Sequence, residues 1–584
     1  STEEEFFRHY LSHGRQEGRT SQFPQDATAV QVLADDQKWQ AIFRTSEFLA
    51  WCGDELAQNA ITRPTTREEA IALFCAQGID QLWPINFEYA FDVDFVRNNA
   101  ILPGHQDSSD ADLYRAWLAE GFVVGAAPNE RVFLAPFLGE RPFPVNFDWQ
   151  TFARRYAMSP ATTRSQALVA LFNAPTASVL QAIDLLGRDA GWLLGRIGAR
   201  ALVLGDNVKA VAILERSTAI APTGDALCLL GDARRARGAV QPALEAYEAS
   251  MRIERAPIWS FLHAATLYAG RRQFGQAFDV LRRAHRVWRQ RAEFAVKLHE
   301  IIQLYFEDRS AAAHGLYREV VAGDVSREIA DALLVDALNE IRDIHADLDA
   351  MPAPLGGSPE GYVAILANDD LRQCTHYRIE QKAMQFEQAG IPVRVFSHGD
   401  VQNFVDSLIG ARAAIFYRVP AVPAILRAIQ HANAMGLETY YEIDDLIFDA
   451  QVYPDPFASF EGQISILEYA GLIFGVPLFR YAMAMCTGTV ASTPALAAKM
   501  KSIAGGGAGT SIVVRNGLDA RNEAMIRIGA SPLRRSGDDA RVRIFYGSGT
   551  KAHNADFNRL AAPALIDLMR LHSHVDLVVM GHLR

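Results

Sequence analysis

The sequence predicts a multidomain chain in which an α-helical N-terminal region and an α-solenoid precede α/β, Rossmann-like domains. Three observations carry that expectation. At 584 residues the chain is too long for a single hydrophobic core. Between about 185 and 300 a small-large-small triplet recurs with helical spacing: Ala210/Leu214/Ser217, Ala243/Tyr247/Ser250 and Ala277/Leu281/Ala284. Beyond about residue 361, short apolar runs alternate with amphipathic stretches, which is the texture of parallel βαβ units.

Bulk composition narrows the function classes. Hydrophobic residues make up 49% and charged residues 21%, as in soluble globular proteins. A net charge of -11 argues against a general nucleic-acid binder, because neutralising phosphates requires a dense basic surface. Cys52, Cys75, Cys228, Cys374 and Cys486 are scattered and form no CxxC pair. Neither a zinc site nor a disulfide framework is expected from that spacing, and the expected compartment is the cytoplasm or the inner face of the cell membrane. The acidic start, Ser1 to Phe7, lacks the basic-then-apolar order of a signal peptide. Ala470–Cys486 is apolar but interrupted by Pro477 and Arg480, so it reads as a buried or interfacial helix rather than a span.

Residues 1–180 read as helical with a weak repeat. Tyr10–Gly14, Phe74–Gly78 and Trp117–Gly121 each place an aromatic residue four positions before a glycine. The pair shares a helix face, and the glycine is expected as a left-handed C-cap. The decapeptide YLSHGRQEGR resembles a short repeat of large bacterial polysaccharide-synthesis proteins. Residues 181–350 carry the triplets, with Gly205 and Gly238 before two of them and Pro222 and Pro257 as punctuation. This resembles the tetratricopeptide repeat, in which small residues let paired helices approach closely. Residues 351–361, MPAPLGGSPEG, read as a linker. Strands are expected at Tyr362–Ala367, Val393–Ser397, Ala413–Tyr417, Glu438–Ile443, Gly488–Ala491 and Ile512–Val514, within a domain spanning 362–535. A further unit, 536–584, holds strands at Val542–Tyr546 and Val575–Met580 and is read as incomplete.

Open α/β sheets bind ligands outside the carboxyl ends of their strands, so the strand-end loops hold the candidate site. After the first strand, His376, Tyr377 and Arg378 stand near a helix entrance, where Arg378 and the helix N-terminus suit an anion. Arg418 ends one strand, and Asp444 with Asp445 follows the next, a pair suited to sugar hydroxyls or a cation. Arg515 and Asn516 lie at the turn leaving the first domain. The glycine-rich loop IFYGSGTKAHNADF places Gly547, Gly549, Thr550, Lys551 and His553 between a strand and a helix. There, backbone donors and a cation suit a diphosphate. Each segment has a plainer reading as a cap, turn or internal ion pair.

Taken in order, the YRI at Tyr377, EIDDLIFD, the STP and RNG pair and YGSGTKAHNADF followed by DLVVMG resemble GT-B glycosyltransferases of the bacterial retaining group. The resemblance covers about Tyr362 to Arg584. It implies two Rossmann-like domains, the second truncated here, and a nucleotide-sugar donor with a glycan, lipopolysaccharide or protein acceptor. It also implies that no cofactor and no obligatory metal is needed. The family's paired donor-binding glutamates have no counterpart within the sequence, so no catalytic residue is assigned. A second reading is a non-catalytic solenoid scaffold that binds a protein partner through its helical repeats.

Overall fold

The aromatic–glycine pairs of the first region are built as widened helical turns. In the computed structural model, which describes residues 35–584 apart from 60, 371–373, 508, 530–540, 549–553 and 582–584, two short helices span Arg67–Leu73 and Asp110–Ala116. Thr66 and Ser109 cap them by accepting the N–H groups of Glu69 and Asp112. Each helix then opens into a π-turn, Phe74–Gly78 and Trp117–Gly121, closed by Ile79 N–H on the Phe74 carbonyl and Phe122 N–H on that of Trp117. The expectation of left-handed C-caps is therefore corrected, since neither glycine has a positive φ. Steric crowding requires the glycine instead. A Cβ on Gly78 would lie 2.7 Å from the Phe74 ring, and one on Gly121 2.8 Å from the Trp117 ring. Both rings are fully buried in an aromatic core with Phe48, Trp83 and Tyr114. The Tyr10–Gly14 copy lies outside the described residues.

The chain divides into two units, Ser1–Ala264 and Ala265–Arg584. In the first, α1 (Ala190–Val203) pairs with α2 (Asn207–Ile220), and α3 (Gly224–Ala236) with α4 (Val240–Met251). Residues of the triplets at 210–217 and 243–250 are all fully buried. Their large members fill the space that a glycine leaves on the facing helix. A Cβ on Gly198 would sit 2.5 Å from Leu214, and one on Gly231 2.4 Å from Tyr247. Their closing serines repeat one bond: Ser217 Oγ donates to the Gly191 carbonyl and Ser250 Oγ to that of Gly224, both at 2.7 Å. Gly205 (φ 78°) and Gly238 (φ 73°) are left-handed caps, and the N–H of the residue after each returns to a carbonyl five positions back.

The second unit continues from α5 (Ile258–Gly270), within which the division falls, through α6 (Phe274–Trp288) to a long hairpin. That hairpin is α7 (Ala292–Ala322), a left-handed Gly323 and α8 (Arg327–Leu348). The Pro/Gly stretch expected as a linker is tied to the α/β layer. Leu355 and Gly356 N–H both donate to the Met435 carbonyl, and Ser358 N–H donates to that of Ala411.

Six parallel strands follow: β1 (Tyr362–Ala367), β2 (Val393–Ser397), β3 (Ala411–Tyr417), β4 (Glu438–Glu442), β5 (Gly488–Ala491) and β6 (Thr510–Val513). Their spatial order is β2-β1-β3-β4-β5-β6. β1 leads into α9 (Gln381–Gln388) through a π-turn, β3 into α10 (Pro423–Ala434), and α11 (Ile466–Met485) precedes β5. α11 is long and apolar enough to cross a membrane by length and composition. Here its Phe474 stacks on His314 of α7 at 3.8 Å, and its Tyr481 hydroxyl donates to Asn339 of α8. β7 (Val542–Ser548) and β8 (Val575–Gly581) form a separate parallel pair. A helical region followed by an α/β domain is thus present. Among the described residues the second sheet has two strands, and no second Rossmann domain is formed.

Gly231 and Gly238 separate two uses of glycine. Gly231→Ala forces a methyl group into the Tyr247 ring and is expected to cost about 1–3 kcal/mol. Gly238→Ala meets open space and strains only the backbone, by about 1–2 kcal/mol. In urea unfolding, adding Tyr247→Leu should recover part of the loss in Gly231→Ala and none of the loss in Gly238→Ala.

Candidate functional site

The strand order reverses between β1 and β3, so the loops leaving their carboxyl ends diverge and open the crevice where such sheets bind ligands. The β1 loop starts with Asn368, Asp369 and Asp370, and the β3 loop starts with Arg418. Arg418 has φ 52°, a left-handed conformation that costs a non-glycine residue about 1–2 kcal/mol. Three bonds hold it there. Its N–H donates to the Glu442 carbonyl at 2.9 Å, its own carbonyl accepts from Asn368 Nδ2 at 3.2 Å, and Nη1 pairs with Asp370 at 3.0 Å.

Beneath this edge lies a buried ion cluster. Glu442, the last residue of β4, is fully buried. Arg378 Nη2 meets its Oε1, and Lys382 Nζ lies 3.1 Å from the same oxygen. Arg378 and Lys382 are four residues apart and so share one helical face. Burial pulls the Lys382 ammonium below its ordinary pKa, against the pull of the Glu442 charge. Arg378 Nη1 also donates to the Val514 carbonyl at 2.8 Å and to Asn516 Oδ1 at 3.0 Å, which fastens the loop after β6.

The other expected residues are spread over the same edge. His376 is held between two carboxylates, with Nδ1 at 2.9 Å from Glu380 and Nε2 at 3.1 Å from Asp519. Tyr377 is exposed, and its hydroxyl accepts a long bond from Asn522. Asp444 accepts from the Tyr417 hydroxyl at 3.3 Å. Burial and the charge of Asp444 push the Cys374 thiol up to about 11. Asp445 and Arg515 are exposed. On β7, a Cβ on Gly547 would lie 2.8 Å from the Phe545 ring, a packing reason for that glycine. Gly549, Thr550, Lys551 and His553 lie outside the described residues. Glu442 and Lys382 were not expected. The signal for them is a glutamate closing a buried strand and a lysine one turn beyond Arg378.

Arg378, Arg418 and His376 are therefore all matched by carboxylates of the chain itself. An anionic ligand at this edge would have to displace one of them. The arrangement stores charge pairs and ties loops together.

No protein-family profile matches the chain, and no curated protein does. Among solved structures it is matched with LpoA of Haemophilus influenzae, over 77% of this chain and 80% of that one, at 10% identity and a TM-score of 0.16. A likeness at that level carries neither fold nor function across. The expectation of a GT-B glycosyltransferase is corrected on these findings. No family model matches the chain, no second Rossmann-like domain is formed among the described residues, and Arg378 and Arg418 at the sheet edge are paired with carboxylates of the chain itself. The expected enzyme activity and polysaccharide-synthesis role fall with it.

Glu442→Gln leaves two buried cations without their anion. The unfolding free energy of the second unit is expected to fall by about 3–5 kcal/mol. Asp445→Asn, at an exposed position, is expected to stay within about 0.5 kcal/mol of the parent. Calorimetric unfolding of the two variants side by side reads the difference.

Proposed function

We propose that this protein is a non-catalytic scaffold that engages a protein partner through its helical repeats. The carrying observation is the repetition of one packing unit: a helix glycine seated on a large side chain, and a closing serine bonded to a backbone carbonyl one helix away. Modules that satisfy their interior in the same way each time stack on their neighbours and leave their outer faces for partners. The α1–α2 turn supports this reading, because Val203, Leu204 and Val208 are 56%, 66% and 66% exposed around Gly205. Clustered exposed apolar residues on a folded surface commonly mark contact sites. The internal pairing of Arg378 and Arg418 supports it from the other side, since neither guanidinium at the sheet edge is free for an anionic ligand.

The test is site-specific photo-crosslinking in the native cell, with the reactive group placed at Val203 or Val208. A defined protein adduct is expected, and Leu204→Asp is expected to abolish it while leaving the melting temperature unchanged. Absence of any adduct from these positions would overturn the proposal, as would saturable calorimetric binding of a nucleotide sugar at the sheet edge.

A further inference from the structure

Asp349, which ends α8, sits where three imidazoles converge. Its Oδ2 lies 3.1 Å from Nε2 of His299 on α7, 3.6 Å from Nδ1 of His345 on α8 and 3.6 Å from Nε2 of His431 on α10. Its Oδ1 is held by the Ala350 N–H at 2.9 Å, which fixes the carboxylate plane and aims Oδ2 at the rings.

We propose that His299, His345 and Asp349 bind a zinc-type transition-metal dication, with His431 beside them as a fourth donor. Three features point to this. The ligating atoms of the first three lie within 4.8 Å of one another. Bonds of about 2.0–2.1 Å to nitrogen and oxygen in a tetrahedral site imply ligand-to-ligand edges of about 3.3–3.4 Å, and the three distances to Oδ2 bracket that value. His299 bonds the carboxylate, but at 3.6 Å the other two contacts are too long for hydrogen bonds, so His345 and His431 are gathered at the carboxylate without being bonded to it.

An independent observation comes from His345. It is 1% exposed, and among the described residues neither of its ring nitrogens has a hydrogen-bond partner; Nε2 of His431 is equally buried and also lacks one. Buried ring nitrogens are normally satisfied, and an ion is one of the few things that satisfies them at this spacing. Two or three neutral imidazoles and one carboxylate suit zinc, cobalt or nickel, whereas calcium and magnesium favour all-oxygen sets. The side chain of His299 is 30% exposed and gives the ion a way in.

Arg427 shares the carboxylate, with Nε 2.7 Å from Oδ2 and Nη1 donating to Gln402 at 3.1 Å. A carboxylate oxygen has two lone pairs, so Arg427 can stay as an outer partner while the metal takes the second. Its positive charge lowers affinity without blocking the site. Since the donors come from α7, α8 and α10, the metal would clamp the helical hairpin to the α/β layer within one unit.

The test uses the full chain, stripped with chelator and titrated with Zn²⁺, with Co²⁺ as a spectroscopic probe. One equivalent per chain, a rise in melting temperature and the intense visible bands of tetrahedral Co²⁺ are expected. His345→Ala and Asp349→Asn should weaken binding by at least about tenfold. Because those two positions are buried, His299→Gln at the rim serves as the variant that keeps its metal-free fold, verified by its unchanged melting temperature in chelator. It should weaken binding in the same way. No saturable equivalent in the parent chain, or an affinity unchanged in His299→Gln, would overturn the proposal.

Discussion

The carboxylate of Glu442 is the point on which the α/β layer depends. Placing two cations and one anion in a dry interior is costly unless they meet in good geometry. Arg378 and Lys382 meet Glu442 from a single helical face. The cluster keeps an excess positive charge, and the Val514 carbonyl and Asn516 Oδ1 take up the Nη1 donors of Arg378. Three elements far apart in sequence are thereby fixed together: the helix after β1, the end of β4 and the loop after β6. The strained Arg418 belongs to the same arrangement, since its N–H is bound by the backbone of Glu442.

This explains why the strand-end residues mislead when read alone. Ligands bind outside the carboxyl ends of parallel strands, so charged residues there look like ligand contacts. Arg378 and Glu442 are 64 positions apart, and nothing local in the sequence announces that they neutralise each other. An arginine that holds a phosphate and an arginine that holds a buried glutamate are the same letter. The histidines at 299, 345 and 431 were silent for the same reason, because only the fold brings them to Asp349.

Other features were legible because they depend on periodicity and size. The triplet positions are buried throughout, since a small-large-small spacing on one helix face leaves few alternatives to close helix pairing. The six strands fall where short apolar runs were expected, and β1, β3 and β5 are buried along most of their length, as strands covered on both faces must be. Glycine was legible only in part. Gly205 and Gly238 are left-handed caps, but Gly78 and Gly121 are required by a ring folded over them. Both uses demand a missing Cβ, and the sequence shows only that it is missing.

The central claim is that the Arg378–Lys382–Glu442 cluster is an internal structural device and not a ligand site. The most direct measurement is the stability of the triple variant Arg378→Met, Lys382→Met, Glu442→Leu. A buried ion cluster that only fills and fastens the interior can be replaced by apolar groups of similar volume at little cost. The account predicts a melting temperature near that of the parent and well above that of Glu442→Gln alone. A triple variant as unstable as the single one, or one that keeps its stability but loses binding to a small anionic ligand, would contradict it.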